Sequence, residues 1–243
     1  MYSAKIDGEP TTFGTSGLLY RSNKLMYDRK TNTLWSSLLG VPVIGKLAQR
    51  DLKLEFFPVE LTTWGEWLAE QPDTTVLSLS TGYYSPRFYE PETDSDSIYY
   101  DYRVTAETMF PVWERDDRLD AKEEVLGLTS DDDFKAYPVA DLRQLRVVND
   151  RVGEDEVVII SSAGSSNVRV YVRQGQRFGL LPGDENVEGL PTGVVDQDGN
   201  TWTLTLDGLT DDSGTSLRRV PANIVFWFGW FAFHPDTELF QRP

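Results

Sequence analysis

The stretches WGEWLAEQPDTT (Trp64–Thr75) and WFGWFAFHPDTE (Trp227–Glu238) repeat one pattern. Each has a tryptophan, two residues, a second tryptophan, four residues and then Pro-Asp-Thr. Other landmarks follow in the same order. The matching pairs are Leu54 with Leu217, Pro58 with Pro221, YDRKTNTLW (27–35) with VDQDGNTW (195–202), and Phe13-Gly14 with Phe178-Gly179.

Landmarks that keep their order over a long stretch predict two copies of one structural module. The repeat divides the chain into three parts that we expect to pack as one compact unit. They are module one (residues 1–80), a connecting segment (residues 81–123) and module two with its leading strands (residues 124–243).

The pattern inside each copy favours strands. TWTLTL (201–206) alternates apolar and polar residues, and Asp198-Gly199 before it is a hairpin-turn signal. Thr63 followed by Glu66 predicts a helix start, and Pro72 its end, so that Trp64, Trp67 and Leu68 share one face. The sequence therefore predicts a mainly β fold, close to the border with the α+β class. It has two related modules and short aromatic helices. The tryptophans are interpreted as core residues rather than as a stacking platform for a sugar.

Residues 124–160, ahead of the second copy, predict further elements: a short helix at 140–145, a turn at Asn149-Asp150 and a buried strand at 157–160. Module one has no matching leading stretch. An uncovered sheet edge invites pairing with another chain. We therefore expect either that Met1 is not the ancestral start, or that the open edge of module one is covered by a protein partner or by a second copy in a homodimer.

Composition excludes several function classes. The formal net charge is −16, which repels nucleic acid and anionic lipid. Sparse lysine, with acidic runs such as Asp131–Asp133, favours adaptation to molar salt over an ordinary acidic surface. No apolar run approaches the roughly 20 residues of a membrane span. The first residues lack a signal-peptide core, so the expected location is cytoplasmic, without membrane insertion.

Cysteine is absent and His234 is the only histidine. This excludes thiol nucleophiles, disulfides, and metal sites built on cysteine or several histidines. No glycine-rich nucleotide-binding motif occurs either, and no cofactor is expected. His234 aligns with Gln71 in the other copy, which favours a structural role over general-base catalysis.

The connecting segment is rich in tyrosine and aspartate. Asp94, Asp96 and Asp101 could gather a cation, but they lack the glycine and terminal glutamate of a calcium loop. They are read as solvated acids, with calcium binding kept as a weak option.

Four phrases together resemble the family known as domain of unknown function 3179. They are TFGTSGLLYRSNKLMYDRKTNTLW (12–35), DDRLDAKEEVLGL (116–128), KAYPVADL (135–142) with VVNDRVG (147–153), and FWFGWFAFHPDTELF (226–240). The resemblance covers nearly the whole chain, but it implies no activity because the family has none established. Family members often look exported or membrane-anchored, so the resemblance leaves an exported form open.

The chain departs from this family at one motif. Members typically carry a Cys-Pro-x-x-Gly or Cys-Pro-x-Cys-Gly phrase before the Thr-Phe-Gly segment. The corresponding place in module two has Ser162 and Ser165. The resemblance therefore carries no thiol or metal role over to this chain.

Two functions remain open. The first is a non-catalytic binding or scaffold domain with a site between the modules, lined by Arg115, Asp117, Arg118 and Tyr137. The second is a carboxylate-dependent, hydrolase-like enzyme that uses Asp117 with Asp150 or Asp28 as acid and base. Lys135 and Asn149 stay in the pool of polar candidates. An enzyme needs two carboxylates converging in a pocket, whereas a scaffold needs an exposed apolar patch.

Overall fold

A computed structural model describes residues 1–242, apart from the side chain of Pro86. Strands take 34% of the chain and helices 11%, so the mainly-β prediction is confirmed. Antiparallel pairing dominates, because most neighbouring strands are joined by short turns.

Module one contains a two-stranded hairpin, a four-stranded sheet in the order β3-β4-β5-β6, and one helix. Its core forms around Trp35, Leu47 and Leu54, and the ring of Phe13 meets Trp35 edge-on. The elements are β1 (Lys5–Ile6), β2 (Glu9–Pro10), β3 (Phe13–Tyr20), β4 (Asn23–Asp28), β5 (Leu34–Ser36), β6 (Pro42–Ile44) and α1 (Trp64–Glu70).

The connecting segment has little regular structure: one 3-10 turn (Pro86–Phe88) and α2 (Tyr100–Val104). Arg103 anchors it to module two through an ion pair of 2.5 Å with Glu124. Much of its apolar surface is solvent-exposed, including Tyr83, Met109 and Trp113.

Module two is larger and has three sheets. Their strand orders are β17-β7-β8-β18, β11-β10-β9 and β12-β13-β14-β15-β16. The elements are β7 (Glu124–Ser130), β8 (Asp133–Pro138), α3 (Val139–Leu145), β9 (Val147–Val152), β10 (Asp155–Ser161), β11 (Val168–Val172), β12 (Phe178–Leu180), β13 (Gly193–Asp196), β14 (Thr201–Leu204), β15 (Gly208–Asp211), β16 (Ser216–Arg218), β17 (Asn223–Phe226), α4 (Trp227–Phe231) and β18 (Glu238–Leu239).

The predicted helix at 140–145 lies within α3, and the predicted strand at 157–160 lies within β10. The predicted turn at Asn149-Asp150 is wrong, because both residues pair with β10 inside β9. The chain turns instead at Gly153, where φ is 52°. Asn149 looks like a turn residue in sequence because its amide is polar. Here that amide bonds the backbone N–H and C=O of Phe178 at 2.8 and 2.7 Å.

Several side-chain contacts occur in both modules. A buried aspartate at the end of a strand accepts the indole N–H of a tryptophan, Asp28 from Trp35 at 3.0 Å and Asp196 from Trp202 at 2.9 Å. A second tryptophan donates to the threonine of the Pro-Asp-Thr phrase in each. Those pairs are Trp67 with Thr74 at 3.1 Å and Trp230 with Thr237 at 2.9 Å. A tyrosine hydroxyl also donates to a loop carbonyl in each, Tyr2 to Leu38 and Tyr171 to Thr205.

The two aromatic helices differ in burial. Trp227, Gly229 and Trp230 of α4 are buried, whereas α1 has no buried residue. The expectation that the tryptophans are core residues is therefore wrong for Trp64, which is 49% exposed. Sequence shared between the helices sets their local shape, but burial depends on what packs over them.

Candidate functional site

The two modules meet across α1, whose acidic side faces module two. Glu66 accepts hydrogen bonds from the hydroxyls of Ser162 and Ser165, each at 2.8 Å, and from the Asn167 amide at 3.3 Å. Thr62 adds a fourth donor at 2.8 Å. Burial would raise the pKa of Glu66, but these bonds outweigh it and hold the pKa below its usual range.

The predicted helix start pairs Thr63 with Glu66, and only one of the two bonds of such a capping box forms. The Thr63 hydroxyl accepts the Glu66 N–H at 3.2 Å, as a helix cap should. The Glu66 carboxylate does not reach back to the Thr63 backbone, because it is bound to module two instead. The start of α1 therefore lacks one local capping bond, and the Glu66 carboxylate makes several hydrogen bonds to module two instead.

A second group of charges lies beside Glu66. The Glu60 carboxylate lies 2.7 Å from Arg169 and 3.1 Å from Arg219, and Glu70 lies 2.5 Å from Arg169. The Arg169 side chain is 2% exposed and that of Glu60 is 7% exposed. Burial alone would lower the pKa of Arg169, but the bond from Glu70 and the nearby charges raise it. The guanidinium therefore stays charged and ties both carboxylates to module two.

A small cleft of about 260 Å³ opens next to this charged group. Val59, Glu60 and Leu61 line it from module one, and Val170, Arg219 and Ile224 are among the residues that line it from module two. The Nε of Arg219 is buried there without a hydrogen-bond partner among the described residues. The cleft lies between the modules, where the sequence predicted a site, but its lining residues are not the predicted ones.

A larger cleft of about 840 Å³ lies between the connecting segment and α4. Arg115 and Asp117, both predicted ligand-binding residues, line it together with Glu107, Asp120 and Phe228. Arg118 points to other partners. It pairs with Asp116 at 2.9 Å and lies over the rings of Trp227 and Phe231. Arg118 thus fastens the connecting segment to the aromatic helix.

Tyr137, the fourth predicted ligand-binding residue, is buried. Its hydroxyl donates to Asp150 at 2.9 Å, and Lys135 pairs with the same carboxylate at 2.9 Å. Burial, followed by the charge of Asp150, raises the pKa of Tyr137 well above its usual range. Tyr137 therefore remains a neutral hydrogen-bond donor and cannot act as a base at neutral pH.

The three candidate catalytic carboxylates occupy separate surroundings. Asp28 is buried in its own turn, where burial raises its pKa but bonds from Trp35 and Thr31 outweigh that effect and lower it. Asp150 is paired with Lys135, and Asp117 lines the 840 Å³ cleft. Neither Asp28 nor Asp150 lines that cleft. No hydrogen bond among the described residues joins any two of the three.

His234 is buried between two aromatic rings. Its ring stacks on Phe134 with centroids 4.1 Å apart and lies 4.3 Å from the ring of Trp230. Burial, with Arg21 and Lys53 nearby, lowers the pKa of His234 to about 4. At neutral pH the imidazole is uncharged and serves as an aromatic core residue.

The structure does not gather the acidic residues of the connecting segment. Asp94 caps a turn by accepting the N–H of Asp96 at 2.9 Å. Within residues 1–242, no group of three or more acidic or histidine side chains is arranged to hold a metal ion. The described residues also contain no helix long and apolar enough to cross a membrane.

Sequence reasoning missed the residues that join the modules: Glu60, Glu66, Arg169 and Arg219. A signal for Arg169 was present, because an arginine stands in the middle of the apolar strand VRVYV. A charge inside a buried strand requires a partner of opposite charge. The sequence did not reveal that the partner lies more than a hundred residues earlier in the chain.

The fold and this junction together define a mainly β protein in which an acidic helix face is bound to a basic and hydroxyl-rich surface. A protein-family model described as "Protein of unknown function (DUF3179)" matches residues 1–237, and the chain belongs to that family. The resemblance found in the sequence is thereby confirmed. Neither the curated proteins nor the solved structures gave a match to the chain.

Proposed function

We propose that the protein is a non-catalytic binding module that holds a protein partner on module one. The observation that carries the proposal is the orientation of α1. Its acidic side, with Glu66 and Glu70, is bound to module two, and its apolar side, with Trp64 and Leu68, faces solvent. In a domain that is complete by itself, an amphipathic helix buries its apolar side and exposes its polar side.

Further exposed apolar side chains lie near this helix face in the sequence. Trp64 and Leu68 lie on the helix, and Leu61 before it and Val76 and Leu77 after it are also exposed. Exposed apolar side chains in such numbers are typical of interaction sites. Tryptophan contributes strongly to binding free energy at such sites, because it buries a large area with few rotatable bonds.

The candidate carboxylates support binding over hydrolysis. Asp28 and Asp150 are engaged by internal partners, and neither shares a cleft with Asp117. An acid–base pair would need both groups within reach of one substrate.

We also propose that the two modules are copies of one ancestral unit. The Asp–Trp and Trp–Thr bonds present in both modules support this. Contacts that recur at matched sequence positions are more readily explained by common descent than by chance.

A second candidate function is small-ligand binding in the 840 Å³ cleft. Arg115 supports it, because this residue lines the cleft and makes no ion pair or side-chain hydrogen bond with any described residue. An anionic ligand would supply the missing partner. Arg115→Ala would then abolish any midpoint shift caused by the ligand, whereas Arg87→Ala outside the cleft would preserve it.

Site-specific photo-crosslinking in the cells that make the protein tests the principal proposal. A photoreactive side chain replaces Leu68 in one variant and Asp198, in the exposed β13–β14 turn, in another. We expect one defined protein adduct from position 68 and none from position 198. The same adduct should disappear when Trp64→Ser is added. An absence of adducts at position 68, or identical adducts at both positions, would refute binding at this face.

The purified partner completes this test. We expect Trp64→Ser to weaken its binding about tenfold or more, as for a residue at the centre of an interface. The matched change Trp113→Ser, in the connecting segment, should leave the affinity unchanged. The crosslink thus identifies the partner, and the comparison of the two variants identifies the surface that binds it.

A further inference from the structure

In module two, the aromatic helix α4 is covered by a β-hairpin. The β7–β8 hairpin lies between β17 and β18, the strands on either side of α4. β17 pairs antiparallel with β7 from Asn223 to Phe226, and β18 pairs parallel with β8. The hairpin therefore completes a four-stranded sheet over the aromatic helix.

The hairpin fits the tryptophans closely. Val125 and Ala136 form a core cluster with Trp227 and Trp230, both of which are 0% exposed. A Cβ placed on Gly127 would lie 2.2 Å from the ring of Trp230, so only glycine fits there. The residues just before β7 also accept the first N–H groups of α4. Glu123 accepts from Trp227 at 2.8 Å, and Ala121 from Phe228 at 2.9 Å.

Module one has the matching elements without the hairpin. The spacing that aligns Trp64 with Trp227 places residues 60–63 opposite β17 and residues 75–76 opposite β18. Within the described part of the chain, neither segment pairs with a strand. The backbone of residues 60–62 and 75–76 makes no backbone–backbone hydrogen bond there. Unpaired strand-like segments of this kind are sites for strand addition.

Apolar side chains on these two segments are exposed to solvent, which leaves an open gap for strand addition. Leu61 is 53% exposed and Leu77 is 80% exposed, whereas their counterparts Ile224 and Phe240 pack against the module two core. Trp67 keeps the bond to Thr74 that Trp230 makes to Thr237. The base of the gap is thus already arranged as it is in module two.

We propose that module one is a receptor for a β-hairpin from a partner polypeptide, seated between residues 60–63 and 75–77 as β7–β8 is seated in module two. This inference rests on the proposed function and specifies the partner. The hairpin must carry glycine where it meets Trp67 and small aliphatic side chains where it meets Trp64. Its outer edges pair antiparallel with residues 60–63 and parallel with residues 75–77.

A second copy of this chain does not fit as the donor. Its β7–β8 hairpin already fills its own module two, and exchange between copies would empty one position for each one filled. The donor hairpin is therefore not β7–β8 of another copy. Any such donor needs the same pattern of glycine and small aliphatic residues.

The chain itself provides a surrogate ligand for the test. The sequence of residues 120–139 is appended ahead of Met1 through a flexible linker of about ten residues. Met1 is well placed for this, because its backbone carbonyl accepts the N–H of Phe57, three residues before the first pairing segment. Tethering gives a high effective concentration, which offsets the weak stability of an isolated hairpin.

Hydrogen exchange is measured on the fusion and on the parent chain. We expect the amides of Thr62, Trp64 and Leu77 to exchange about tenfold more slowly in the fusion, because they gain strand partners. In module two the amides that match Trp64 and Leu77 are bonded in this way, Trp227 to Glu123 and Phe240 to Ala136. The matched control is a fusion whose appended copy carries Gly127→Leu, which cannot approach Trp67. It should exchange like the parent. Equal exchange in the parent and the fusion, or equal protection by both fusions, would overturn the proposal.

The two proposals can fail separately. A crosslinked partner at position 68 combined with an unprotected fusion would retain the binding module and refute the hairpin. Protection in the fusion without any crosslinked partner would retain the hairpin receptor as a structural fact and refute the binding function in those cells.

Discussion

Trp64 and Trp227 occupy matching positions of the repeated phrase, yet Trp64 is 49% exposed and Trp227 is 0% exposed. Both begin a short helix after an extended residue, Thr63 or Phe226. The difference comes from the β7–β8 hairpin, which packs on Trp227 and has no counterpart over Trp64. Burial at this position is therefore set by a distant segment and not by the helix itself.

This difference predicts opposite outcomes for one substitution. Trp227→Ala should lower the free energy of unfolding by about 3–5 kcal/mol, as expected for a fully buried aromatic. Trp64→Ala should change it by less than about 1 kcal/mol, because the side chain is half exposed. Urea unfolding of both variants checks this. A large loss for Trp64→Ala would mean that α1 is buried in solution.

The buried charges at the junction give a second prediction. Glu60→Gln should destabilise the protein by about 3–5 kcal/mol, because it leaves Arg169 and Arg219 buried without their shared counter-ion. The control is Asp7→Asn, which breaks a pair of similar length, 2.6 Å to Arg50, that is about half exposed. An exposed pair contributes no more than about 1 kcal/mol. Equal losses in denaturant unfolding would contradict the role assigned to burial.

Glu66 gives a prediction that depends on pH. Its folded pKa lies below the ordinary value of 4.5. Its contribution to stability is therefore present above about pH 4.5 and lost as the pH falls through the folded pKa. Glu66→Gln should cost about 1–3 kcal/mol at pH 7 and progressively less in acid. Glu154→Gln, at a side chain that is 99% exposed, should cost nothing at either pH. A loss for Glu66→Gln that is constant from pH 7 to pH 3 would rule out this explanation.

Local sequence was sufficient for the elements whose signals are local. The turn at Asp198-Gly199, the strand at Thr201–Leu204 and the cap at Thr63 follow from residue types and spacing. The turn predicted at Asn149 was wrong, because its polar side chain bonds the backbone of a neighbouring strand and not that of a turn. Turn propensity and a cross-strand role use the same amide chemistry, so sequence alone cannot separate them.

The junction could not be predicted, because its partners are far apart in sequence. Glu60 meets Arg169 and Arg219, and Glu66 meets Ser162 and Ser165. Nothing local in FPVELTTW indicates an arginine more than a hundred residues away. Two of the predicted ligand residues make internal contacts instead. Arg118 lies over the ring of Trp227, and the Tyr137 hydroxyl donates to Asp150.

The acidic composition gives a fourth prediction, on the proposal that the protein is adapted to high salt. The chain has 39 acidic and 23 basic residues, so self-repulsion is strong when screening is weak. We expect the melting midpoint to rise by about 10 °C or more between dilute buffer and 2 M KCl, as screening removes a few kcal/mol of repulsion. Asp131→Asn with Asp132→Asn, in an exposed turn, should raise the midpoint in dilute buffer and leave it unchanged in KCl. A midpoint that is independent of KCl would contradict salt adaptation.

His234 offers the cleanest titration, because it is the only histidine in the chain. Its folded pKa of about 4 lies below the ordinary value of 6.5. Between these values the unfolded chain binds more protons than the folded one, so stability must fall as the pH falls from 6.5 towards 4. His234→Gln, the residue found at position 71, removes that proton uptake. The difference in unfolding free energy between wild type and variant should therefore be constant above pH 7. Below about pH 6.5 it should shrink by up to about 1.4 kcal/mol for each pH unit. A difference that stays flat down to pH 4.5 would mean that the imidazole is protonated in the folded protein, and that Phe134 and Trp230 do not exclude water from it.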